Sequence, residues 1–194
     1  MDKFFSDCKY FAILFKFYYV FEGVMIMKSK MANVFATYVG LGLSKYAPGT
    51  MGSLGTLPLV FVLMYYGGFI ALLIAAVIIF LLGVPATDMV IKQTGITDPS
   101  KVVIDETVGQ LLSFTGVALV APEYLLTPQG WWIYLLGFGL FRFFDIKKMG
   151  PVKYFDSKVL NAYGVMLDDV FAGIFAAVFL LGAFYLYLSF YQVF

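Results

Sequence analysis

The chain has 194 residues, of which 62% are hydrophobic and 13% charged, with a formal net charge of +1 and a mean hydropathy of +0.90. Soluble domains average about 45–50% apolar and about 25% charged residues, so this composition predicts a membrane protein with one helical unit. The absence of histidine and the single cysteine, Cys8, exclude a Ser-His-Asp triad, a phosphohistidine enzyme, a histidine-bearing zinc site and a disulfide framework. Any catalysis must use acidic, basic and hydroxyl side chains with a recruited metal.

Residues 1–30 form an apolar, aromatic-rich stretch that is interrupted by Lys9 and Lys16. No small-residue cleavage site follows, so the stretch does not resemble a cleaved signal. Two interpretations stay open: an interfacial amphipathic helix, or a non-native extension ahead of a later start methionine. We favour the extension and assign residues 31–194 to one membrane-embedded domain.

Four strongly apolar stretches follow, at Leu57–Val84, Val108–Ala121, Trp131–Phe144 and Val170–Phe194. A spanning helix needs about 20 residues, so the two middle stretches must borrow their flanks. The first stretch is too long for one straight helix. The segment Tyr65-Tyr66-Gly67-Gly68 near its middle predicts a hairpin turn, because glycine pairs punctuate helices.

The basic residues indicate the topology. They lie in the loops that also carry the acidic residues, whereas Pro122–Gly130 and the C-terminus have none. The positive-inside rule therefore places the acidic loops in the cytoplasm, with Trp131 and Trp132 at the opposite interface. The predicted fold is all-α: a polytopic membrane helical bundle of about five membrane segments, including a short helical hairpin, with acidic loops at the cytoplasmic face and the C-terminus outside.

Two pairs of adjacent carboxylates, Asp105-Glu106 and Asp168-Asp169, each precede an apolar run and are expected to open a helix. A carboxylate costs about 2.5–3.5 kcal/mol at the centre of a bilayer, so such pairs need a partner. A hard cation such as Mg²⁺ is the simplest one. The alternative is that acidic residues in a first turn only complement the helix dipole, which contributes about 0.3–1 kcal/mol.

Small residues accompany both pairs. Asp105 shares a helix face with Gly109, and Asp169 shares one with Gly173, one turn away in each case. Glycines at these places would allow two helices to approach closely. Ordinary small-residue packing explains either pair alone, but the repeated pattern favours a shared metal site.

The segment Pro48-Gly49-Thr50-Met51-Gly52-Ser53 lies before an apolar helix whose first N–H groups are free. Such a segment can cradle an anion, assisted by the Thr50 and Ser53 hydroxyls. It lacks the Gly-Lys-Ser/Thr ending of a nucleotide-binding P-loop, so ATP binding is not indicated. Taken alone, the segment fits an ordinary Pro-Gly turn with Ser53 as the helix N-cap at least as well.

Arg142 and Asp145 lie three residues apart at the end of an apolar helix and therefore share a face. A basic loop containing Lys148, Lys153 and Lys158 follows. Such loops commonly reflect topology and attraction to anionic lipids, at about 1 kcal/mol per charge. Arg142 differs from these lysines because it has a carboxylate within reach.

Taken together, these pieces resemble the phosphatidylglycerophosphatase A family over roughly residues 33–182. The resemblance depends on four ordered motifs: Pro48-Gly49-Thr50-x-Gly52-Ser53-Leu54, Val103-Ile104-Asp105-Glu106-x-Val108-Gly109, Phe141-Arg142-x-Phe144-Asp145-x-x-Lys148 and Gly164-Val165-Met166-x-Asp168-Asp169-x-x-Ala172-Gly173. The chain departs from the family's pattern after Arg142, where Lys147-Lys148 lacks an immediate proline, and before Gly164, where Asn161-Ala162-Tyr163 stands in place of a glycine-richer run.

The resemblance implies a Mg²⁺-dependent phosphatase of the bacterial inner membrane that converts phosphatidylglycerophosphate to phosphatidylglycerol. The family's shared acidic residues map onto expected catalytic residues Asp105, Glu106, Asp145, Asp168 and Asp169, and all of these except Asp145 are expected metal ligands. Arg142 and Lys148 are expected to offset phosphate charge, with Pro48, Gly49, Thr50, Gly52 and Ser53 as further phosphate contacts.

The predicted mechanism is metal-assisted attack of water on a phosphomonoester, with Asp169 as one candidate general base. A membrane carrier for a cation or phosphate is the rival, although inverted repeats are not recognisable and the acids lie at helix starts. A CDP-alcohol phosphotransferase is disfavoured because its Asp-Gly-x2-Ala-Arg signature is missing. The predicted partners are the lipid substrate and the membrane, with no nucleic acid; the oligomeric state is left open.

Overall fold

The computed structural model describes residues 28–191, and within that range the protein is helical and has no strand. This confirms the all-α prediction for that part of the chain. The predicted extension, residues 1–30, lies outside the described residues except for its last three, which are helical. The helices are α1 (28–36), α2 (Pro48–Thr94), α3 (Ile104–Ser113), α4 (Thr115–Val120), α5 (Trp131–Lys147), α6 (Pro151–Lys158) and α7 (Ala162–Tyr191).

Helix α2 consists of two arms, residues 48–67 and 69–94, that fold back on each other at Gly68. The Gly68 backbone, at φ +60° and ψ −149°, interrupts the helix in a conformation that costs glycine little. Contacts show the reversal: a Cβ built on Gly52 would lie 2.8 Å from Val103, and one on Gly83 would lie 3.5 Å from Ile104. In a straight helix, residues 52 and 83 would be about 46 Å apart. The hairpin predicted in this stretch is therefore confirmed.

Among the described residues, two helical stretches are long and apolar enough to cross a membrane, Pro48–Thr94 and Ala162–Phe190. Large apolar side chains on both face outwards, among them Leu81 and Val178, which are 64% and 63% exposed. Exposed apolar surface of this extent is typical of proteins that contact hydrocarbon or a partner. The predicted middle segments form shorter helices, with α3 and α4 meeting at a break at Phe114, and the count of five membrane segments stays a prediction.

Helix α7 begins earlier than the sequence analysis expected. The side-chain Oδ1 of Asn161 accepts hydrogen bonds from the N–H groups of Tyr163 and Gly164, at 2.9 and 3.2 Å, which is how an N-cap residue starts a helix. The expectation that Asp168 and Asp169 open this helix is wrong, because the cap places them beyond its first turn.

The start of α2 differs from the alternative in which Ser53 is the helix N-cap. The helix begins at Pro48, with Ala47 as its N-cap residue. Ser53 lies inside the helix, where its hydroxyl donates a hydrogen bond of 2.8 Å to the carbonyl of Gly49. The interpretation of Ser53 as the helix N-cap is therefore wrong.

Helices α3 and α7 cross at Gly109 and Gly173. A Cβ on Gly173 would lie 2.3 Å from the carbonyl oxygen of Gly109, and a Cβ on Gly109 would lie 2.5 Å from the carbonyl oxygen of Asp169. Only a residue without a side chain allows this approach of two backbones. The crossing confirms the predicted role of the two glycines, and it brings the first turn of α3 beside Asp169.

The two ends of the bundle differ in charge. The acidic pairs share their end with basic residues such as Lys101, whose Nζ donates a hydrogen bond of 3.1 Å to Asn33 Oδ1. At the other end, Tyr124 stacks edge-on against Phe184 in the last part of α7, with ring centroids 5.0 Å apart. The loop 122–130, which contains no basic residue, therefore lies opposite the acidic pairs.

We expect Gly173→Ala to destabilise the fold by about 1–3 kcal/mol, because its methyl group must push the two helices apart. The matched control is Gly182→Ala on the same helix, where an added Cβ meets nothing within 4 Å. The control also cancels the gain in helix propensity that both substitutions share. Thermal unfolding in detergent measures the difference, and equal melting temperatures for the two variants would contradict the close crossing.

Candidate active site

Acidic and basic side chains from three helices converge where α3, α5 and α7 meet. We call the five carboxylates the acidic cluster: Asp105 and Glu106 from α3, Asp145 from α5, and Asp168 and Asp169 from α7. Two cations accompany them, Arg142 of α5 and Lys148 directly after it. The structure thus brings together every residue that the sequence analysis expected to be catalytic.

Three members of the cluster can share one cation. Asp105, Glu106 and Asp169 each offer a carboxylate oxygen, and these oxygens all lie within 4.8 Å of one another. Asp105 and Asp169 are only 7% and 3% exposed. Oε2 of Glu106 and Oδ1 of Asp169 are buried and have no hydrogen-bond partner among the described residues. Buried polar atoms without partners are rare in proteins and indicate an ion or water that completes the site.

The two acidic pairs have the same local geometry. Oδ1 of Asp105 accepts the backbone N–H of Glu106 at 3.0 Å, and Oδ1 of Asp168 accepts that of Asp169, also at 3.0 Å. In each pair, the backbone therefore holds one oxygen of the first aspartate. The second oxygen and the whole second carboxylate remain available for other partners.

Asp168, the fourth expected metal ligand, has a different partner. Nζ of Lys148 donates a hydrogen bond of 3.2 Å to Oδ2 of Asp168 and a second one to Asp156. Lys148 adopts the left-handed conformation, φ +47°, that ends α5, which turns its side chain away from the direction a continuing helix would give. Asp168 thus lies beside the group of three rather than within it, and Asp156 is a neighbour to which the sequence analysis gave no role.

Arg142 lies between two carboxylates. Its Nη1 is 2.5 Å from Oδ2 of Asp145, a charge contact without hydrogen-bond geometry, and 3.8 Å from Oε1 of Glu106. The side chain is 17% exposed, and its Nε is buried without a hydrogen-bond partner in the part of the chain that the structure describes. A guanidinium offers five donors in one plane, so this one can still bind an anion.

The cluster holds more negative charge than its cations offset. Five carboxylates face Arg142 and Lys148 among the described residues, and Asp105 and Asp169 are buried. Burial disfavours the charged form of Lys148, yet its hydrogen bonds to two aspartates raise its pKa. Buried negative charge is costly unless a cation or a proton offsets it, so the cluster favours binding of a further cation.

The start of α2 reaches this site through Gly49. A Cβ on Gly49 would lie 2.1 Å from Oε1 of Glu106 and 3.1 Å from Nη1 of Arg142. The N–H groups of Gly49 and Thr50 belong to the first helical turn, which has no intrahelical acceptors for them. These free donors therefore lie beside the cluster, as the anion-binding interpretation of this segment requires.

The other residues of that segment have structural contacts. Gly52 packs against Val103, where an added Cβ would lie 2.8 Å from the Val103 Cβ. Ser53 is fully buried, and its hydroxyl proton is engaged by the Gly49 carbonyl. Pro48 occupies the first helical position, which suits its missing N–H. Of the expected phosphate contacts, Gly49 and Lys148 adjoin the acidic cluster, whereas Gly52 packs α2 against the loop before α3 and the Ser53 hydroxyl bonds within α2.

Gln110 is a polar residue to which the sequence analysis gave no role. It is fully buried, and neither its amide nitrogen nor its amide oxygen has a partner among the described residues. It lies one turn after Glu106 on the same face of α3. The sequence does carry a signal that could have pointed to Gln110, namely an amide within an apolar helix four residues after an acidic residue.

Comparisons with known proteins identify the family of this chain. The family model described as Phosphatidylglycerophosphatase A matches residues 34–184. A phosphatidylglycerophosphatase A of Haemophilus influenzae is 35% identical over 146 residues, which cover 75% of this chain and 84% of the relative. Its namesake in Escherichia coli is 30% identical over 154 residues, 76% of this chain and 82% of the relative.

A third relative carries a different name. A provisionally named phosphatidylinositol-3-phosphatase of Bacteroides thetaiotaomicron is 36% identical over 145 residues, 72% of this chain and 85% of the relative. No solved structure matches the chain significantly. The family model covers most of the chain, including all five carboxylates of the acidic cluster, and the chain therefore belongs to the phosphatidylglycerophosphatase A family.

Proposed function

We propose that this phosphatase is Mg²⁺-dependent and hydrolyses phosphatidylglycerophosphate to phosphatidylglycerol and inorganic phosphate. Phosphatase activity follows from the family, and the substrate is proposed from the names of two relatives. The observation that carries the proposal is the group of Asp105, Glu106 and Asp169, which can bring three carboxylate oxygens within 4.8 Å of one another. Glu106 and Asp169 each also have a buried oxygen without a hydrogen-bond partner among the described residues. The rival interpretation as a carrier has no support from the comparisons.

The donor set fits Mg²⁺, a hard cation that proteins bind through carboxylate oxygens. One oxygen from each of the three carboxylates lies within 4.8 Å of the others, so Asp105, Glu106 and Asp169 would hold the ion. When bound, Mg²⁺ would polarise a phosphoryl oxygen and lower the pKa of a bound water. The contact between Asp168 and Lys148 would help to position the neighbouring Asp169.

Phosphate recognition is assigned to Arg142 and the start of α2. The unpartnered Nε of Arg142 and its planar group suit a phosphate, which guanidinium groups bind through two donors at once. The free N–H groups of Gly49 and Thr50 add donors at the positive end of a helix dipole. Lys148 offsets charge at the edge of the site but already holds Asp156 and Asp168.

The proposed hydrolysis is direct attack by water. The chain has no histidine, and no cysteine lies among the described residues. A water oxygen would bond to phosphorus while the bond between phosphorus and the glycerol oxygen breaks. Asp169 would accept the water proton through the carboxylate oxygen that a bound metal leaves free, and the leaving glycerol oxygen would take up a proton from solvent. A positioned base of this kind contributes about 10²–10⁴-fold.

We also propose a location in the bacterial inner membrane with the active site facing the cytoplasm. Five segments would cross: the two arms of α2, the pair α3 and α4, α5, and α7. The acidic cluster shares its end of the bundle with the basic loops, and the loop 122–130 at the opposite end has no basic residue. This distribution is typical of a cytoplasmic catalytic face.

We expect Asp169→Asn to lower phosphate release from phosphatidylglycerophosphate about 10²–10⁴-fold, because an amide cannot accept the water proton. Wild-type release should stop in EDTA and return with Mg²⁺. Asp88→Asn is the matched control, since Asp88 is exposed and pairs with Lys92, one turn away. Full activity in EDTA, or an active Asp169→Asn, would refute the mechanism. Phosphate release from phosphatidylinositol 3-phosphate, measured in parallel, would show which of the two named activities this chain has.

Mg²⁺ should stabilise the protein against heat, because a bound cation would offset the buried negative charge of the acidic cluster. Melting temperatures in detergent should therefore be higher with Mg²⁺ than with EDTA. The difference should be smaller in Glu106→Gln, and an unchanged difference in that variant would contradict the assignment of Glu106 as a metal ligand.

Cysteine labelling tests the topology. In a Cys8→Ser background, an impermeant maleimide should label Gln129→Cys in intact spheroplasts but label Ser157→Cys only after lysis. Both side chains are exposed, at opposite ends of the bundle, so accessibility within the protein does not bias the comparison. The reverse pattern would place the acidic cluster outside the cell.

A further inference from the structure

An apolar groove of about 320 Å³ lies between the second arm of α2, α3 and α7. Its α7 wall consists of Leu167, Val170 and Ile174, and Val77 and Leu81 line the α2 wall. All of its lining side chains are apolar. It is therefore a different feature from the acidic cluster, although both are built on α7.

The groove begins at the level of the acidic cluster. Leu167 immediately precedes Asp168, and Val170 immediately follows Asp169. Leu167, Val170 and Ile174 follow the three- and four-residue spacing of one helix face, so the groove runs along α7 beside the carboxylates. Ile174 lies seven residues, or about 10 Å, further along the helix axis than Leu167. The groove therefore extends from the site towards the middle of the bundle.

The groove opens to the outer surface of the helices. Leu81, Val77 and Ile174 are 64%, 51% and 44% exposed, and all three belong to the two helices that are long and apolar enough to cross a membrane. An open, wholly apolar recess on such a surface offers no hydrogen-bond partner to water. A hydrocarbon chain from the surrounding lipid can enter it from the side.

We propose that this groove binds one acyl chain of the lipid whose headgroup phosphate is hydrolysed at the acidic cluster. The inference rests on the proposed function, which puts a lipid phosphate at the end of the groove marked by Leu167. A chain that moves from bilayer to groove passes from one apolar environment to another, so little affinity is gained. The groove's role is to orient the substrate, which helps hold the phosphate against Arg142 and the carboxylates.

A second apolar groove provides the comparison. It has a volume of about 570 Å³ and lies between α5 and α7, lined by Val178, Phe179 and Gly182 among others. Its α7 wall begins nine residues beyond Asp169, or about 13 Å along the helix axis. A chain leaving a headgroup at the carboxylates meets the first groove at once and reaches this α7 wall only further down. We assign the substrate chain to the first groove.

The test fills each groove separately. The double variant Val77→Trp/Ile174→Trp fills the first groove, and Gly182→Trp fills the second, where an added Cβ meets nothing within 4 Å. Phosphate release is measured from long-chain phosphatidylglycerophosphate in vesicles and from a water-soluble analogue with very short chains. We expect the double variant to lose about tenfold in kcat/KM on the long-chain lipid and to keep its activity on the soluble analogue. Gly182→Trp should behave as wild type on both.

A double variant that acts on long-chain lipid as well as wild type would overturn the groove assignment. Wild-type protein inactive on both substrates would instead overturn the proposed function, so the two failures are distinguishable. A measurement on the unaltered protein does not depend on the variants folding: a long-chain lipid carrying a photoactivatable diazirine near its headgroup should crosslink to the segment 167–174. Crosslinks confined to residues 178–186 would also overturn the assignment.

Discussion

The excess of buried negative charge at one end of the bundle is the constraint on which the rest of the structure depends. Among the described residues, five carboxylates face Arg142 and Lys148, and Asp105 and Asp169 are buried. Isolated buried charges are expensive, so a bound cation or a proton must offset part of such a cluster. A divalent cation and a phosphate would satisfy both signs, because the cation would neutralise the carboxylates and the phosphate would engage Arg142.

The glycines make this concentration of charge geometrically possible. Gly109 and Gly173 let α3 and α7 approach until backbone meets backbone, and Gly49 brings the start of α2 against Glu106 and Arg142. Larger residues at these positions would push the helices apart and increase the distances between Asp105, Glu106 and Asp169. Gly83 similarly seats the second arm of α2 on Met166, just ahead of the second acidic pair. Close backbone approach, which in a membrane depends on small residues, is thus a condition for the site and not only for the fold.

Much of this could be predicted from residue spacing, and the rest depends on contacts that spacing does not encode. The adjacent glycines 67 and 68 indicated the hairpin, and Gly109 and Gly173 indicated the helix crossing. A glycine within an apolar helix commonly marks a turn or a close contact. The sequence analysis placed the start of α7 too late, at Asp168. Asn161 caps the helix through a side-chain hydrogen bond, and the hydrophobic pattern does not reveal such a bond. The pairing of Lys148 with Asp156 depends on the path of α6, and the burial of Gln110 without a hydrogen-bond partner among the described residues depends on tertiary packing.

Helix α7 presents the acidic residues and the apolar groove on two different faces. Asp168 and Asp169 face the other carboxylates and their cations, whereas Leu167, Val170 and Ile174 line an apolar groove. Because successive helical residues differ by about 100°, a polar site and a hydrocarbon surface can occupy the same turn without mixing. A phospholipid presents the same division, with a charged phosphate joined to an apolar chain over a short distance. A rigid helix with both faces fixes the distance between phosphate and chain, and a substrate lacking the chain would lose that orientation while keeping its contacts to Arg142 and the start of α2.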